Sequence, residues 1–509
     1  MFAMSRWGNL QKFIVSGVAC AVALALTTAT PLAGAVPDQA PGLAWNTCGD
    51  SVDTSRVPTA RCTTVSVPVD WNDVSNPQAA QANLAVIRIP ATGQKIGTII
   101  SNPGGPGISA IEVMTRFAPK LAKTEIGRRF DLVAFDPRGV GLSTPEVRCA
   151  SDADLDADRT DPQVDYSPAG VARIEEADRE RAQKCVDRMG VPFLAGMSTE
   201  NTARDMDAVR AALGEEQLNF FGYSYGTRLG TAYAEQFPDR VRAMMVDGVV
   251  DQFADPVAVL VEQAAGFQQA FDAYAADCAT QPSCPLGTDP AQFNDRLHQL
   301  VDPLVEKPAR TADPRGLSYE DAMNGVNEAL YSSEDWPRLT DGLTALARGT
   351  DADDLLEFAD EYAERDEDGH YTNSADAFIA VHCADEVYPT DPAVWAENDR
   401  QVREVAPYES YGEFTGYAPR PLCVNWPVRP SEPHPVSSPG PGKVVVVSTT
   451  GDPATPYQNG VDVAAQLGAP LITFVGNQHT VAFSGNRCID QALEAFFVDL
   501  VQPPADLHC

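Results

Sequence analysis

Three residues in this sequence have the types and the order needed to activate a hydroxyl group for attack on a carbonyl carbon. Ser224 is the centre of the pentapeptide Gly222–Gly226, which follows an apolar run and precedes a helical pattern. A serine in such a strand–turn–helix bend is lifted above the edge of a sheet. Asp452 and His479 come later, each in the loop after an apolar run. This order predicts that His479 takes the proton of Ser224 while Asp452 orients the imidazole.

The acid and the base each have rivals in the sequence. Of the six histidines, His479 is the one that follows a late apolar run, whereas the others lie in helical, acidic or proline-rich stretches or beside the C-terminus. Asp247 also ends an apolar run and is the alternative acid. We prefer Asp452 because in such an arrangement the acid follows the strand just before that of the histidine. The alternative to the whole interpretation is an inert serine in a glycine-rich turn.

A glycine-rich loop upstream completes the predicted site. The apolar run 98–101 leads into residues 102–107, Asn-Pro-Gly-Gly-Pro-Gly. Backbone N–H groups of glycine can approach a developing oxyanion without a Cβ atom in the way. We expect the N–H of Gly105, with Gly104 as the second choice, and the N–H of Tyr225 to form an oxyanion hole. An ordinary turn is the alternative.

The elements that position these residues predict an α/β fold. Apolar runs alternate with helical patterns over residues 98–247, which indicates a mostly parallel central sheet covered by helices. Helical runs and acidic loops occupy residues 251–440, and strand character returns at Lys443. We predict a core of residues 36–250 and 441–509. The largely helical segment 251–440 is then a cap, inserted between the sixth strand and the acid-bearing strand, that shapes a pocket and excludes water.

One further segment has a turn pattern. Residues 136–143, Asp-Pro-Arg-Gly-Val-Gly-Leu-Ser, follow an apolar run. The proline and the glycines predict a tight turn. We expect an ion pair between Asp136 and Arg138 to hold this turn, and a catalytic role for Asp136 is the weaker alternative.

The N-terminus and the cysteines indicate export. Arg6 and Lys12 precede an apolar stretch, and Ala33-Gly-Ala35 fits a cleavage site, so residues 1–35 are predicted to be a signal peptide rather than an uncleaved anchor. The mature protein would be secreted or held at the cell surface. Removing Cys20 leaves ten of the eleven cysteines, an even number that favours disulfides. The simplest scheme pairs neighbours in sequence: 48–62, 149–185, 278–284, 383–423 and 488–509.

Composition excludes several classes of partner. The formal charge of −34 argues against binding to nucleic acid or to an anionic membrane. No later apolar run reaches the length of a membrane span. Cysteines and histidines do not combine in a zinc-binding pattern, so we predict neither a metal nor another cofactor. We expect a monomer.

With these motifs in view, the sequence resembles the secreted actinobacterial tripeptidyl aminopeptidases, a branch of the α/β-hydrolase fold allied to the proline iminopeptidases. The resemblance covers nearly all of the mature chain. Proline iminopeptidases tend to have a histidine where this sequence has Pro103, so the loop departs from that subgroup. The motifs that carry the resemblance are residues 102–107, 136–143, 222–227, Gly451-Asp452 and His479.

The resemblance implies a serine exopeptidase that receives the free N-terminus of a peptide at its cap and releases short peptides, in this family tripeptides. The substrate's ammonium group needs a carboxylate. Asp385 and Glu386 are our first candidates, and Glu200 and Glu112 are the others, although most of the 71 acidic residues are expected to be solvated surface groups. An exported carboxylic-ester or lipid hydrolase with the same residues is the alternative function. A non-catalytic binding protein on the same scaffold is a third.

Overall fold

The computed structural model of the protein describes residues 42–430 and 433–509, so the predicted signal peptide lies outside the described residues. Within these residues, one sheet of nine strands forms the centre of the molecule. The strands are β1 (Arg61–Pro68), β2 (Gln81–Ile89), β3 (Gly97–Asn102), β4 (Phe130–Phe135), β5 (Leu218–Tyr223), β6 (Val241–Asp247), β7 (Val444–Thr449), β8 (Leu471–Phe474) and β9 (Asp506–His508).

The sheet is mostly parallel, as the sequence predicts. Its order is β1-β2-β4-β3-β5-β6-β7-β8-β9. Strand β2 pairs antiparallel with β1 and β4, and all neighbours from β4-β3 to β8-β9 are parallel. Every residue of β3, β4, β5 and β7 is buried. Strands buried along their whole length are typical of parallel sheets, because helices cover both faces of such a sheet.

Two groups of helices flank this sheet. Side chains alternate across it, so that Phe220 and Met244 pack on one face while Phe221 and Met245 pack on the other. Helix α3 (Asp152–Thr160) lies apart from both groups, and its Leu155 packs in a small separate cluster with Tyr371. The flanking helices are α1 (Ala110–Leu121), α2 (Glu125–Arg129), α4 (Pro168–Met189), α5 (Val191–Ala195), α6 (Thr199–Ala212), α7 (Tyr225–Gln236), α15 (Tyr457–Leu467) and α16 (Arg487–Asp499). Among them, α6 and α7 line the first face, and α1 and α16 line the second.

The described residues between β6 and β7 hold helices and no strand of this sheet. The helices are α8 (Pro256–Cys278), α9 (Phe293–Val301), α10 (Tyr319–Leu330), α11 (Trp336–Arg348), α12 (Asp353–Ala363), α13 (Ser374–Asp385) and α14 (Pro392–Val405). Helices α8 to α12 share an apolar core separate from those of the sheet, whereas α13 packs on the core that contains Phe220. We propose that this insertion is the cap, with the bounds 251–440.

Five disulfide bonds join cysteines that are neighbours in sequence, which confirms the simplest pairing scheme. They are Cys48–Cys62, Cys149–Cys185, Cys278–Cys284, Cys383–Cys423 and Cys488–Cys509. The fourth ties helix α13 to the segment that leads towards β7, and the fifth ties α16 to the residue that follows β9. None of the helices within residues 42–430 and 433–509 combines the length and the apolar character needed to cross a membrane.

The predicted ion pair between Asp136 and Arg138 is wrong. The guanidinium of Arg138 makes two hydrogen bonds to the buried carboxylate of Asp205 in α6, at 2.6 and 2.7 Å. Asp136 instead accepts hydrogen bonds from the hydroxyl of Ser109, at 2.9 Å, and from the N–H of Ile111, at 3.0 Å. The reason is that α1 begins beside Asp136, and the N-terminal end of a helix attracts a carboxylate.

Candidate active site

Ser224 lies in a strained turn between β5 and α7. Its φ of 53° lies in the left-handed region, which a serine rarely adopts outside functional turns. Glycine is required at two positions around Ser224, because a backbone carbonyl oxygen lies close to each of them. An added Cβ atom at Gly226 would lie 2.5 Å from the carbonyl oxygen of Asn102, and one at Gly222 would lie 2.5 Å from that of Gly226. The Gly-x-Ser-x-Gly spacing therefore follows from how tightly the chain bends.

The structure brings Asp452 and His479 together. Asp452 follows β7 and His479 follows β8, and the two strands are parallel neighbours. The imidazole Nδ1 lies 2.8 Å from Oδ1 and 2.9 Å from Oδ2 of Asp452. The backbone N–H groups of Ala454 and Thr455 also donate to Oδ1, at 3.0 and 2.9 Å. Because both side chains are buried, the contact is shielded from water.

Ser224 and His479 border the same short turn, Asp247-Gly248. The N–H of Ser224 donates to the carbonyl oxygen of Asp247 at 2.9 Å. An added Cβ atom at Gly248 would lie 3.1 Å from Cε1 of His479. The imidazole Nε2 is buried and has no hydrogen-bond partner among the described residues. Nε2 is the atom that takes the serine proton in a relay of this kind. In hydrolases without bound substrate, the hydrogen bond between serine and histidine is often long, and it shortens when substrate binds.

The predicted oxyanion loop lies against the nucleophile. Gly104 has a φ of 105°, and an added Cβ atom there would lie 2.7 Å from the Cβ atom of Ser224. The N–H of Gly104 already donates to Oδ1 of Asn102 at 3.0 Å. The N–H groups of Gly105 and Tyr225 have no acceptor among the described residues. This difference favours Gly105 over Gly104 as the donor to an oxyanion.

The surroundings of His479 include two residues that the sequence did not predict. The hydroxyl of Thr455 lies 3.3 Å from Nδ1. In the cap, Tyr331 accepts the backbone N–H of His479 on its carbonyl oxygen at 2.8 Å, and its ring packs edge-on against the imidazole, with 5.4 Å between the ring centres. A threonine three residues after a turn aspartate is a local signal that could have identified Thr455. Nothing local marks Tyr331.

The alternative acid, Asp247, does not contact the imidazole. One of its carboxylate oxygens, Oδ2, accepts the backbone N–H groups of Val481 and Ala482, both at 2.7 Å. Burial raises the pKa of Asp247 to about 7. Asp452 is thus the carboxylate that can hold the imidazole in one tautomer, and Asp247 has a separate role.

Asp385 and Glu386 lie at the end of α13, at a cavity of about 630 Å³ that Glu200 also lines. Asp385 accepts the N–H of Thr199 at 2.8 Å, and Glu386 lies 3.0 Å from a guanidinium nitrogen of Arg228. Burial raises the pKa of Asp385. Burial also acts to raise the pKa of Glu386, but nearby positive charges outweigh it and hold that pKa at about 2. An incoming ammonium group would share both carboxylates with Arg228.

Glu112, the remaining candidate, lies in a different place. It forms an ion pair with Arg116 on the exposed side of α1. It lines a second cavity, of about 690 Å³, which reaches Gly107 of the oxyanion loop. The four acidic candidates are therefore distributed over two cavities.

The comparisons with known proteins agree with this architecture. The profile of the alpha/beta hydrolase fold family matches residues 97–485, which is more than half of the chain. The chain therefore belongs to that family.

Relatives of known name extend over nearly the whole chain. Carboxylesterase B of Mycobacterium tuberculosis is 57% identical over 96% of this chain and 94% of its own length. Serine protease Hip1 of the same species is 49% identical over 99% of both chains. The tripeptidyl aminopeptidase of Streptomyces coelicolor is 30% identical over 92% of this chain and 86% of its own. The protein is a serine hydrolase, related to the tripeptidyl aminopeptidases as its motifs indicate.

Proposed function

We propose that the protein is a secreted serine exopeptidase that releases short peptides, tripeptides in the first place, from free N-termini through an acyl-enzyme on Ser224. The observation that carries the proposal is the buried hydrogen bond between His479 and Asp452 beside a serine at positive φ. A neutral imidazole held in this way presents Nε2 as a base.

The proposed reaction has two halves. In the first, Nε2 of His479 removes the proton of Ser224 while the hydroxyl oxygen attacks the scissile carbonyl carbon. The N–H groups of Gly105 and Tyr225 stabilise the resulting oxyanion, and His479 then protonates the leaving amine. In the second, His479 activates a water molecule that hydrolyses the ester on Ser224.

Relatives of two kinds bear on the bond that is cleaved. Serine protease Hip1 and the tripeptidyl aminopeptidase support a peptidase. Carboxylesterase B, which has the higher identity, favours the second candidate function, hydrolysis of a carboxylic ester. An ester and an amide pass through the same kind of tetrahedral intermediate, so the choice depends on substrate binding rather than on the three catalytic side chains.

Our specific proposal for binding of the substrate N-terminus is the pair Asp385 and Glu386. It requires the ammonium group to compete with Arg228, whose guanidinium lies 3.0 Å from Glu386.

The proposal of export rests on the predicted signal peptide and on the disulfides. Five disulfide bonds use all ten cysteines that remain after removal of residues 1–35. Disulfides persist in oxidising compartments outside the cytosol. N-terminal sequencing of protein recovered from the culture medium and from the cell surface tests the proposal, and an intact N-terminus on cytosolic protein would overturn it.

A set of three substrates separates the candidate functions. A tripeptide anilide with a free amine, the same anilide N-acetylated, and a medium-chain nitrophenyl ester are given to the wild-type protein and to Ser224→Ala. We expect cleavage of the free-amine anilide only by the wild-type protein, with the acetylated form at least about a hundredfold slower, since it lacks the charge that the site binds. Equal rates on both anilides would remove the exopeptidase proposal. Turnover of the ester alone would establish the second candidate.

Substitutions at the C-terminal end of α13 test the proposed ammonium site. Asp385→Asn and Glu386→Gln should raise KM for the free-amine anilide and leave KM for the N-acetylated anilide unchanged. Glu112→Gln is the matched control, because it removes an acid from the other cavity. An increase in KM for Glu112→Gln alone would move the site to the cavity beside the oxyanion loop.

A further inference from the structure

Asp247 is a fully buried acid that the proposed reaction does not use. It is the last residue of β6 and pairs with Tyr223 of β5, the residue before the nucleophile. Its side chain has no exposed surface. Buried carboxylates are rare unless they have a specific partner, so this position calls for a physical explanation.

The partner of the carboxylate is the loop that carries the base. Oδ2 accepts two successive backbone N–H groups, those of Val481 and Ala482, each at 2.7 Å. Thr480, between these residues and His479, has a φ of 59°, which lies in the left-handed region. A non-glycine residue in that region is strained and needs its surroundings to hold it. The two hydrogen bonds from Asp247 act immediately beyond the strained residue.

The same residue also holds the nucleophile. Its backbone carbonyl oxygen accepts the N–H of Ser224 at 2.9 Å. The next residue, Gly248, has a φ of 67° and lies so close to the His479 loop that an added Cβ atom would be 2.8 Å from Cγ2 of Thr480. Asp247 is therefore hydrogen-bonded to both segments whose relative position decides whether a proton can pass between Ser224 and His479.

We propose that Asp247 is a positioning residue: its carboxylate fixes the loop of His479 against the nucleophile turn, and its negative charge stabilises the imidazolium that forms during the reaction. The inference rests on the proposed function, since it assumes that Ser224 and His479 react together. It is distinct from the role of Asp452, which binds the imidazole itself.

The charges that face Asp247 explain why its ionisation matters. Burial raises its pKa most strongly, the two backbone hydrogen bonds lower it, the carboxylate of Asp452 raises it, and His479 lowers it. From β5, the phenol of Tyr223 adds a further buried group, whose pKa is raised by burial and by Asp247. The pKa of Asp247 is about 7, which lies in the range where a histidine base operates. Oδ1, which is buried and has no hydrogen-bond partner among the described residues, can take the proton.

Two substitutions separate position from charge. Asp247→Ala removes the acceptor of both loop N–H groups. Asp247→Asn keeps an acceptor oxygen for them and removes the charge. Asp490→Asn is the control, because Asp490 binds the same loop through the N–H groups of Phe483 and Gly485, at 2.8 and 3.2 Å. The charge that acts on the pKa of Asp490 is that of Glu494, not that of His479.

The experiment measures the rate constant for labelling of Ser224 by a fluorophosphonate probe from pH 5 to pH 9, in the wild-type protein and in the three variants, with Ser224→Ala as the blank.

We expect Asp247→Ala, at unchanged secondary structure, to be labelled about a hundredfold more slowly, as misplacement of a catalytic group by about 1 Å commonly produces. Asp247→Asn should stay within about tenfold of wild type at pH 8, because its loop is still held. In the pH profile of the labelling rate constant, the acidic limb of Asp247→Asn should lie at lower pH than that of wild type by roughly half a unit. The reason is that the imidazolium loses a stabilising charge. Asp490→Asn should leave that limb unmoved.

The outcomes are distinguishable. A wild-type protein that the probe does not label would overturn the proposed function, and the inference with it. A labelled wild-type protein with a folded Asp247→Ala variant that reacts equally fast would overturn the inference alone. If Asp247→Ala does not fold, the pH profile of Asp247→Asn decides: a limb at the wild-type pH, or one that moves equally in Asp490→Asn, contradicts the proposal.

Discussion

The backbone N–H of His479 donates a hydrogen bond to the carbonyl oxygen of Tyr331 at 2.8 Å, so a cap residue directly holds the segment that carries the proposed base. The tyrosine ring also packs edge-on against the imidazole. The position of the inserted helices on the sheet and the position of the imidazole therefore depend on one another.

The first prediction concerns this contact. Tyr331→Ala removes the ring and should lower kcat about two- to tenfold, since an edge-on aromatic contact is worth about 0.5–1.5 kcal/mol. Tyr331→Phe keeps the ring and the backbone, and should retain wild-type kcat. Steady-state kinetics on the free-amine anilide measure both. Equal loss in the two variants would assign the effect to the hydroxyl instead of the ring.

Thr455 provides a second test around the imidazole. Its hydroxyl lies 3.3 Å from Nδ1 of His479, and its N–H donates to Asp452. Thr455→Val keeps the shape and loses the hydroxyl, so kcat should fall by about fivefold, the effect of one hydrogen bond. Thr455→Ser restores the hydroxyl and should restore most of the rate. Equal kcat values for Thr455→Val and Thr455→Ser would show that the hydroxyl does not support the base.

The oxyanion loop permits a test with a well-matched control. At Gly104, φ is 105° and an added Cβ atom would lie 2.7 Å from both the Cβ atom of Ser224 and the carbonyl oxygen of Tyr223. Gly104→Ala should therefore displace the nucleophile and reduce kcat at least about a hundredfold. At Gly287, φ is 82° but no atom lies within 4 Å of an added Cβ atom. Gly287→Ala should destabilise the fold by about 1 kcal/mol or more without changing kcat.

A loss of activity in Gly287→Ala equal to that in Gly104→Ala would attribute both effects to backbone strain. Circular dichroism melting curves of the two variants separate this outcome from the expected one. The comparison is informative because the two glycines share positive φ and differ in what surrounds them.

Stability should depend on pH through Asp247. Its pKa is raised by burial from 3.8 to about 7 on folding, so between these values the folded state binds more protons than the unfolded state. The stabilisation that this protonation provides is complete below about pH 4 and is lost as the pH rises through about 7. The melting temperature of Asp247→Asn relative to wild type should therefore be higher at pH 8 than at pH 5, by at least about 2 °C.

The control for this measurement is an exposed aspartate. Asp50→Asn changes the same charge in an exposed turn, and its difference from wild type should be nearly the same at both pH values. A difference between Asp247→Asn and wild type that does not change with pH would mean that the side chain keeps one ionisation state throughout this range.

The strands and the nucleophile turn could be predicted because their signals are local. The run Val444–Thr449 is apolar up to its last two residues, and such a β-branched run is typical of a buried parallel strand. The bend at Ser224 needs small residues at fixed spacing, which the sequence shows directly. Asp452 and His479 follow strands that proved to be neighbours, so their contact could be anticipated from order alone.

The partners of charged groups could not be predicted in this way. Arg138 pairs with Asp205 in α6 and not with the nearby Asp136. The carboxylate of Asp136 instead accepts a hydrogen bond from the N-terminal end of α1. The same limitation applies to the end of α13, where Arg228 occupies the carboxyl groups that we assigned to a substrate. Long-range packing decides such pairings, and no pattern within a short segment records it.

The reaction of Ser224 is the central claim, and the turnover of a free-amine tripeptide anilide by Ser224→Ala tests it most directly. Replacing one hydroxyl in a cleft leaves the fold intact, so the melting temperature should match that of wild type. We expect kcat to fall by about a million-fold, as when the nucleophile is removed from a comparable serine protease. A folded Ser224→Ala variant whose kcat lies within about tenfold of wild type would contradict the account.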